Sequence, residues 1–253
     1  MIPAQRQQTI LKTLSQREVA SIMELAEALG VSHMTVRRDI QSLEQQGRVL
    51  LISGGVRLAE QIETEPSRKV KTALQSIEKA LIARAAAALV APGATVYLDA
   101  GTTCLAIAIQ LAHRNDITVL TNDFAIVSYL IGNSQCELYH TGGHVIRENE
   151  SGVGERAARF IASVNIDIAF ISASSWDMYY ISTPTESKAP VKQAAVAASA
   201  KKILVSDATK YGKVGFFKAV PLTDLDCIIT DGGLDPVVHK AMVASGLDVI
   251  IAS

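Results

Sequence analysis

The sequence has little net charge, few cysteines and no long apolar run, and each shortage narrows what the chain can be. Its 24 Lys/Arg and 25 Asp/Glu nearly cancel, leaving a net charge of −1. A chain so balanced does not hold nucleic acid through its overall charge, so any DNA contact must be local. The three cysteines, Cys104, Cys136 and Cys227, lie far apart and form no CxxC pair. That argues against a disulfide framework or a zinc site and fits a reducing, cytoplasmic setting. The longest apolar stretch, Ala80 to Ala91, is too short for a bilayer span and contains Arg84. Arg6, Lys12 and Arg17 interrupt every apolar run near the start, so no secretory signal and no membrane partner are expected.

Motif absences narrow the chemistry further. There is no P-loop and no GxSxG elbow, and neither a repeat nor a low-complexity tract. Gly152 to Ala157 spells GxGxxA, a dinucleotide fingerprint, but Glu148 to Ser151 does not read as the strand that fingerprint requires. His140 and His144 are separated by Gly142 and Gly143, so they do not share a helical face for a metal. No catalytic residue, metal or cofactor is expected. Trp176, Tyr179 and Tyr180 with Asp177 form the one aromatic cluster, placed in a loop.

What is present begins with a small head. The spacing predicts a first helix over Pro3 to Ser15, with Ile10, Leu11 and Leu14 facing inward. A short helix follows over Ile22 to Leu29, with Ile22, Leu25, Ala26 and Leu29 on one face and Gly30 as its stop. Ser32 is placed to cap a second helix, His33 to Gln46. Two helices joined by a tight glycine turn make a helix-turn-helix. At 100° per residue Val36, Ile40 and Leu43 point inward, whereas Met34, Arg38, Gln41 and Gln45 point outward, flanked by Thr35 and Arg37. Such a face reads base edges, arginine to guanine and glutamine to adenine. A hairpin over Val49 to Leu58 makes the head winged and sets Arg48 and Arg57 near phosphate. The DNA-contacting set is Ser32, Met34, Thr35, Arg37, Arg38, Gln41, Arg48 and Arg57. Residues 1–59 hold seven Lys/Arg and five Asp/Glu, so one head binds weakly and a homodimer or homotetramer is expected.

Residues 60–75, with Pro66, Arg68, Lys69 and Lys71, read as a linker or strap, solvated rather than bound to DNA. From residue 76 to 253, short β-branched runs alternate with helices, the pattern of a mainly parallel α/β domain. The expected architecture is therefore α/β, a winged helix-turn-helix plus a larger effector-sensing domain. Ligands of open parallel sheets bind at the strands' carboxyl ends. Asp99-Ala100-Gly101-Thr102-Thr103 ends one strand and opens a helix, whose first amides suit an anion. Thr121-Asn122, Thr141-Gly142-Gly143 and Ser206-Asp207-Ala208-Thr209-Lys210 end three others, and Lys192 or Lys210 can neutralise phosphate. Glycine and threonine also cap helices for purely structural reasons, but four such loops at successive strand ends favour a pocket. Its chemistry suits a small phosphorylated polyol.

ALGVSHMTVRRDIQSLEQQGRV, with Gly-Gly in the following wing, resembles the DeoR-type family of sugar-responsive bacterial transcription regulators. LDAGTT, VLTN, HTGG, STPTESKAPVK, VSDATKYG and IITD are similar to that family's sensor motifs, over most of residues 78 to 231. The resemblance implies a sensor domain similar in fold to ribose-phosphate isomerase and a sugar-phosphate inducer. It also implies that Asp99, Gly101, Thr102, Thr103, Thr121, Asn122, Gly142, Gly143, Lys192, Asp207 and Lys210 face the effector. Three departures stand out: Ser53 where the family often has His, Lys188 where an acid is common, and Pro190, which fits only the first turn of a helix. The leading expectation is a repressor that binds operator DNA and is released by a phosphorylated sugar. The alternative is a sugar-phosphate isomerase-like enzyme with a fused head, although no DGADE-like acidic run is present.

Overall fold

A computed structural model describes all 253 residues. The head contains α1 (Pro3–Gln16), α2 (Ile22–Leu29), α3 (His33–Gln45), β1 (Val49–Ile52) and β2 (Gly55–Leu58). Local chemistry fixes its corners. Ser21 and Glu24 form a reciprocal capping box at the start of α2, and Gly30 ends that helix at φ 64°, the left-handed conformation glycine adopts without penalty. Ser32 Oγ accepts from Thr35 N at 3.2 Å and caps α3. β1 and β2 pair antiparallel, and Ala20 adds a bridge to Val56. Ile10, Leu25, Val36, Ile40, Leu43 and Val56 share one core. Arg6 forks onto Asp39 at 2.6 and 3.1 Å, tying α1 to α3.

Residues 60–75 keep most of their side chains in solvent but are not a free linker. β3 (Glu60–Ile62) runs parallel to β13 (Lys213–Gly215) of the larger domain, and α4 (Arg68–Ala73) follows. Arg68, expected in solvent, is buried and ion-paired with Asp123, which has no exposed surface. The reason is on the partner's side: Asp123 also caps a helix from inside the domain, and its buried charge requires a cation.

The larger domain continues with α5 (Ser76–Ala87), β4 (Thr95–Leu98), α6 (Thr102–Leu111), β5 (Thr118–Thr121), α7 (Phe124–Asn133) and β6 (Glu137–His140). Then come β7 (His144–Ile146), β8 (Ser151–Val153), α8 (Glu155–Ala162), β9 (Ile166–Ser172), β10 (Ser175–Trp176), β11 (Tyr180–Thr183) and α9 (Ala189–Ala198). β12 (Ser199–Val205), β13, β14 (Phe217–Pro221), β15 (Cys227–Asp231), α10 (Pro236–Ala244) and β16 (Asp248–Ala252) complete the chain. Seven strands form one sheet in the order β16-β15-β12-β9-β4-β5-β6, every neighbouring pair parallel. Alternation along β4 sends Val96 and Leu98 to the core under α5, α6 and α7, and Tyr97 to the core under α8, α9 and α10. Strand order reverses between β4 and β9, the switch point where such sheets open a crevice.

The residues before the GxGxxA run form no strand, as the sequence suggests: Arg147–Asn149 is a 3-10 turn, and β8 overlaps the run itself and pairs antiparallel with β7 outside the main sheet, so there is no βαβ unit. Two other readings change. The aromatic cluster is only partly a loop: Asp177 and Tyr179 join β10 to β11, Tyr180 opens β11, and Trp176 lies in β10, fully buried, edge-on to Tyr211 at 5.0 Å. Lys213–Pro221, unassigned in the sequence pattern, supplies β13 and β14; β14 joins β10 and β11 in a small antiparallel sheet. Pro190 sits in the first turn of α9, as its ring requires.

Candidate effector cavity and DNA-reading face

The switch point holds a cavity of about 250 Å³. Asp99 forms its floor. Its carboxylate accepts from Ala100 N at 2.9 Å, from Ser172 N and Oγ at 3.0 Å each, and from the Lys192 ammonium. Lys192 Nζ also donates to Ser172 O at 2.7 Å, so the end of β9 and helix α9 meet on one ion pair. Gly101 leaves β4 against Ser172, where a Cβ would stand 3.0 Å from the serine Cβ. The N-terminus of α6 carries no side-chain cap, and Thr102 and Thr103 open into the cavity. Uncapped amides at a helix start favour an anion.

Six lysines line this space, Lys71, Lys79, Lys188, Lys192, Lys210 and Lys213, against four acids, Glu60, Glu65, Asp99 and Asp207. Glu65 is nearly buried and lies 3.1 Å from Lys71 Nζ and 2.8 Å from Lys188 Nζ. Burial alone would raise its pKa, but Lys188 and Lys71 outweigh that and hold it at about 2. Lys79 is buried too. Its ammonium donates to the carbonyls of Lys71 and Leu74 at the end of α4, and desolvation pulls its pKa down.

The structure brings Asp99, Gly101, Thr102, Thr103, Asn122, Lys192, Asp207 and Lys210 together around the cavity. Thr121, Gly142 and Gly143 stand outside it. Thr121 is fully buried, its hydroxyl donating to Leu98 O at 2.6 Å. The glycine pair lets the β7–β8 hairpin close. A Cβ on Gly143 would meet Val153 O at 2.7 Å, and one on Gly152 would meet Gly142 O at 2.2 Å. His140 accepts from Gly142 N at 3.0 Å and packs on Phe124. No group of three or more His, Cys, Asp or Glu is placed to hold a metal ion. Glu65, Lys71, Lys79, Lys188, Lys213 and Ser172 were missed as lining residues. One signal was available: Lys79 falls on the apolar stripe of α5 with Ile82, Ala83 and Ala86, where a solvated lysine would not sit.

On the head, α3 exposes Met34, Arg37, Arg38 and Gln41, while Thr35 is half-buried with its hydroxyl 3.0 Å from that of Ser32. The wing turns toward the sensor domain. Ser53 N donates to Asp235 Oδ2 at 2.8 Å, and Leu50 and Arg57 lie against Gly212. Arg48 is exposed; Arg57 is half-buried by this contact. No helix of the chain is long and apolar enough to cross a membrane.

Comparison with known proteins agrees with this two-part construction. The DeoR-like helix-turn-helix domain matches residues 6–62, and the DeoR C terminal sensor domain matches residues 74–232. The HTH-type transcriptional regulator YgbI of Escherichia coli K12 is 52% identical over 252 residues, covering 100% of this chain and 99% of that protein. The lactose phosphotransferase system repressor of Staphylococcus aureus MRSA252 is 31% identical over 230 residues, 90% of this chain and 91% of the relative. Among solved structures, ribose 5-phosphate isomerase A of Methanocaldococcus jannaschii covers 53% of each chain at 15% identity and a TM-score of 0.39. With both of its parts matched along nearly their whole length, the chain belongs to the DeoR family of helix-turn-helix transcriptional regulators.

Proposed function

We propose that this chain is a DNA-binding repressor of a carbohydrate-utilisation operon, released by a phosphorylated sugar held at the β4–β9 switch point. The observation that carries the reading is the lysine-rich cavity beside an uncapped helix start, on a chain that also presents an open reading helix. A phosphate would take the α6 amides with Lys210, and sugar hydroxyls would take Thr102, Thr103, Asn122 and Asp207. Arg38 and Gln41 would meet base edges, with Met34 and Thr35 beside them; Ser32, Arg37 and Arg48 would meet phosphates, whereas Arg57 is held against the sensor at Gly212. The lactose repressor among its relatives supports a carbohydrate effector. Two heads are needed for a firm grip, so the working form is a homodimer or homotetramer in the cytoplasm. The domain limits we adopt are 1–59 for the head, 60–75 for the strap and 76–253 for the sensor.

The isomerase reading has no support in the side chains. Its candidate base, Asp99, already accepts from Lys192 and twice from Ser172, which leaves it poorly placed to take a proton from carbon. The chain acts by coupling, not turnover, and the effector must distinguish the two states of the regulator by about 1–3 kcal/mol. Binding to its own upstream DNA, measured by fluorescence anisotropy across a salt series, tests this. Selective binding with a steep negative salt slope, abolished by one member of a sugar-phosphate panel, is the expected result. Selective binding that no panel member alters would remove the effector assignment, and loss of selectivity would remove the repressor.

A further inference from the structure

The strap that joins head to sensor is also a wall of the cavity. Glu60, Ile62, Thr64, Glu65, Pro66 and Lys71 all face it. Glu65 lies between β3 and α4, in a stretch with neither helix nor strand. Pro66 restricts the preceding residue to extended backbone, which fixes the direction in which the Glu65 side chain leaves. Its carboxylate then bridges Lys71 of the strap itself and Lys188 of the sensor. The side chains of Glu65 and Lys188 are 6% and 12% exposed, so this pair sits inside the cavity and not on its rim.

Resting on the effector reading above, we propose that Lys71 and Lys188 form a second anion subsite of the cavity, that Glu65 fills it when no effector is bound, and that the effector's anionic group displaces Glu65. The charge pattern favours exchange over simple addition. Lys192 is held by Asp99 within the sensor, whereas Lys213 and Lys188 are held by Glu60 and Glu65 of the strap; the Glu60 pair lies at the surface and the Glu65 pair is the buried one. An anion that takes Lys188 therefore cuts a tie between strap and sensor. Only Ala59 separates the end of β2 in the wing from the start of β3 in the strap, so the cut is felt at the head. The strap's other ties lie on either side of Glu65: the β3–β13 ladder and Glu60 on Lys213 before it, and Arg68 on Asp123 and Glu150, Lys71 on Asn149 and Lys79 on the α4 carbonyls after it.

Two variants separate this from a merely structural salt bridge. Glu65→Gln removes the built-in competitor, so inorganic phosphate should bind about tenfold more tightly, read by calorimetry and by thermal shift. Lys188→Gln removes the cation both anions use, so phosphate should bind about tenfold more weakly. Both should weaken operator binding in the absence of any ligand, because both cut the same tie. Opposite shifts in phosphate affinity with the same shift in DNA affinity support the subsite. Shifts of phosphate affinity in the same direction, or none in either variant, overturn it. Glu65→Asp keeps the charge and should keep wild-type competition, which guards against a Glu65→Gln chain that fails to fold; an Asp variant as tight as the Gln variant would also overturn the proposal. A wild-type chain whose DNA is released by no phosphorylated sugar, while the variants still split on phosphate, would remove the effector class and leave the subsite standing.

Discussion

The two candidate partner surfaces are built on opposite principles. The reading face of α3 is open: Met34, Arg37, Arg38 and Gln41 project into solvent. The cavity at the switch point is already matched. Asp99 holds Lys192, Glu65 holds Lys71 and Lys188, Glu60 holds Lys213, and only Lys79 and Lys210 lack a carboxylate. In the function proposed above, DNA is therefore read on an empty surface, and affinity follows the bonds formed to bases and phosphates. On the exchange proposed above, effector binding swaps one set of partners for another, and its affinity is a difference between two paired states. Exchange is what a sensor needs, because the partners released by the ligand are the ones that carry the signal.

The largest way to test that contrast is to unmatch the cavity. Asp99→Asn leaves the Lys192 ammonium buried without its counter-charge and loosens the end of β9. Breaking a buried pair from one side costs about 3–5 kcal/mol, and urea unfolding followed by circular dichroism should place that loss in the sensor domain. An unchanged midpoint would mean that the pair is exchangeable even without ligand, and the contrast between the two surfaces would fail. A smaller effect is expected on the open face. Arg38→Ala should relax specificity at one base position by about 1–3 kcal/mol, with effector binding and folding intact. Operator variants titrated against the mutant would show it. Equal discrimination in mutant and wild type would take Arg38 off the base edges.

Legibility in the sequence followed the same division. The head could be read almost residue by residue, because caps, glycine stops and a 3.6-residue stripe are local signals, and Ser32, Gly30, Val36, Ile40 and Leu43 carry them. The parallel sheet was legible from its β-branched runs, and the floor of the cavity from polar loops at strand ends. The strap was not. Whether Arg68 and Glu65 meet solvent or a buried partner depends on Asp123 and Lys188, 55 and 123 residues away, and no local pattern encodes that. The same holds for β13 and β14, whose short runs find their partners in β3 and β11. Thr121, Gly142 and Gly143 show the converse: polar and glycine residues at strand ends whose observed contacts are to neighbouring backbone.

The smallest effect separates two roles that a single residue combines on the open face. Ser32 Oγ caps α3 by accepting from Thr35 N, and its position at the helix start also suits a DNA phosphate. Ser32→Ala should cost about 1 kcal/mol of head stability through the lost cap, visible as a lower unfolding temperature with effector affinity unchanged. Ser32→Asp keeps a capping oxygen and adds negative charge, which the helix dipole welcomes but a phosphate does not. The aspartate variant should therefore fold like wild type and bind operator more weakly than the alanine variant does. Aspartate binding operator as well as wild type would confine Ser32 to capping, and the phosphate contact at the start of α3 would then fall to Arg37 and the amides of the first turn.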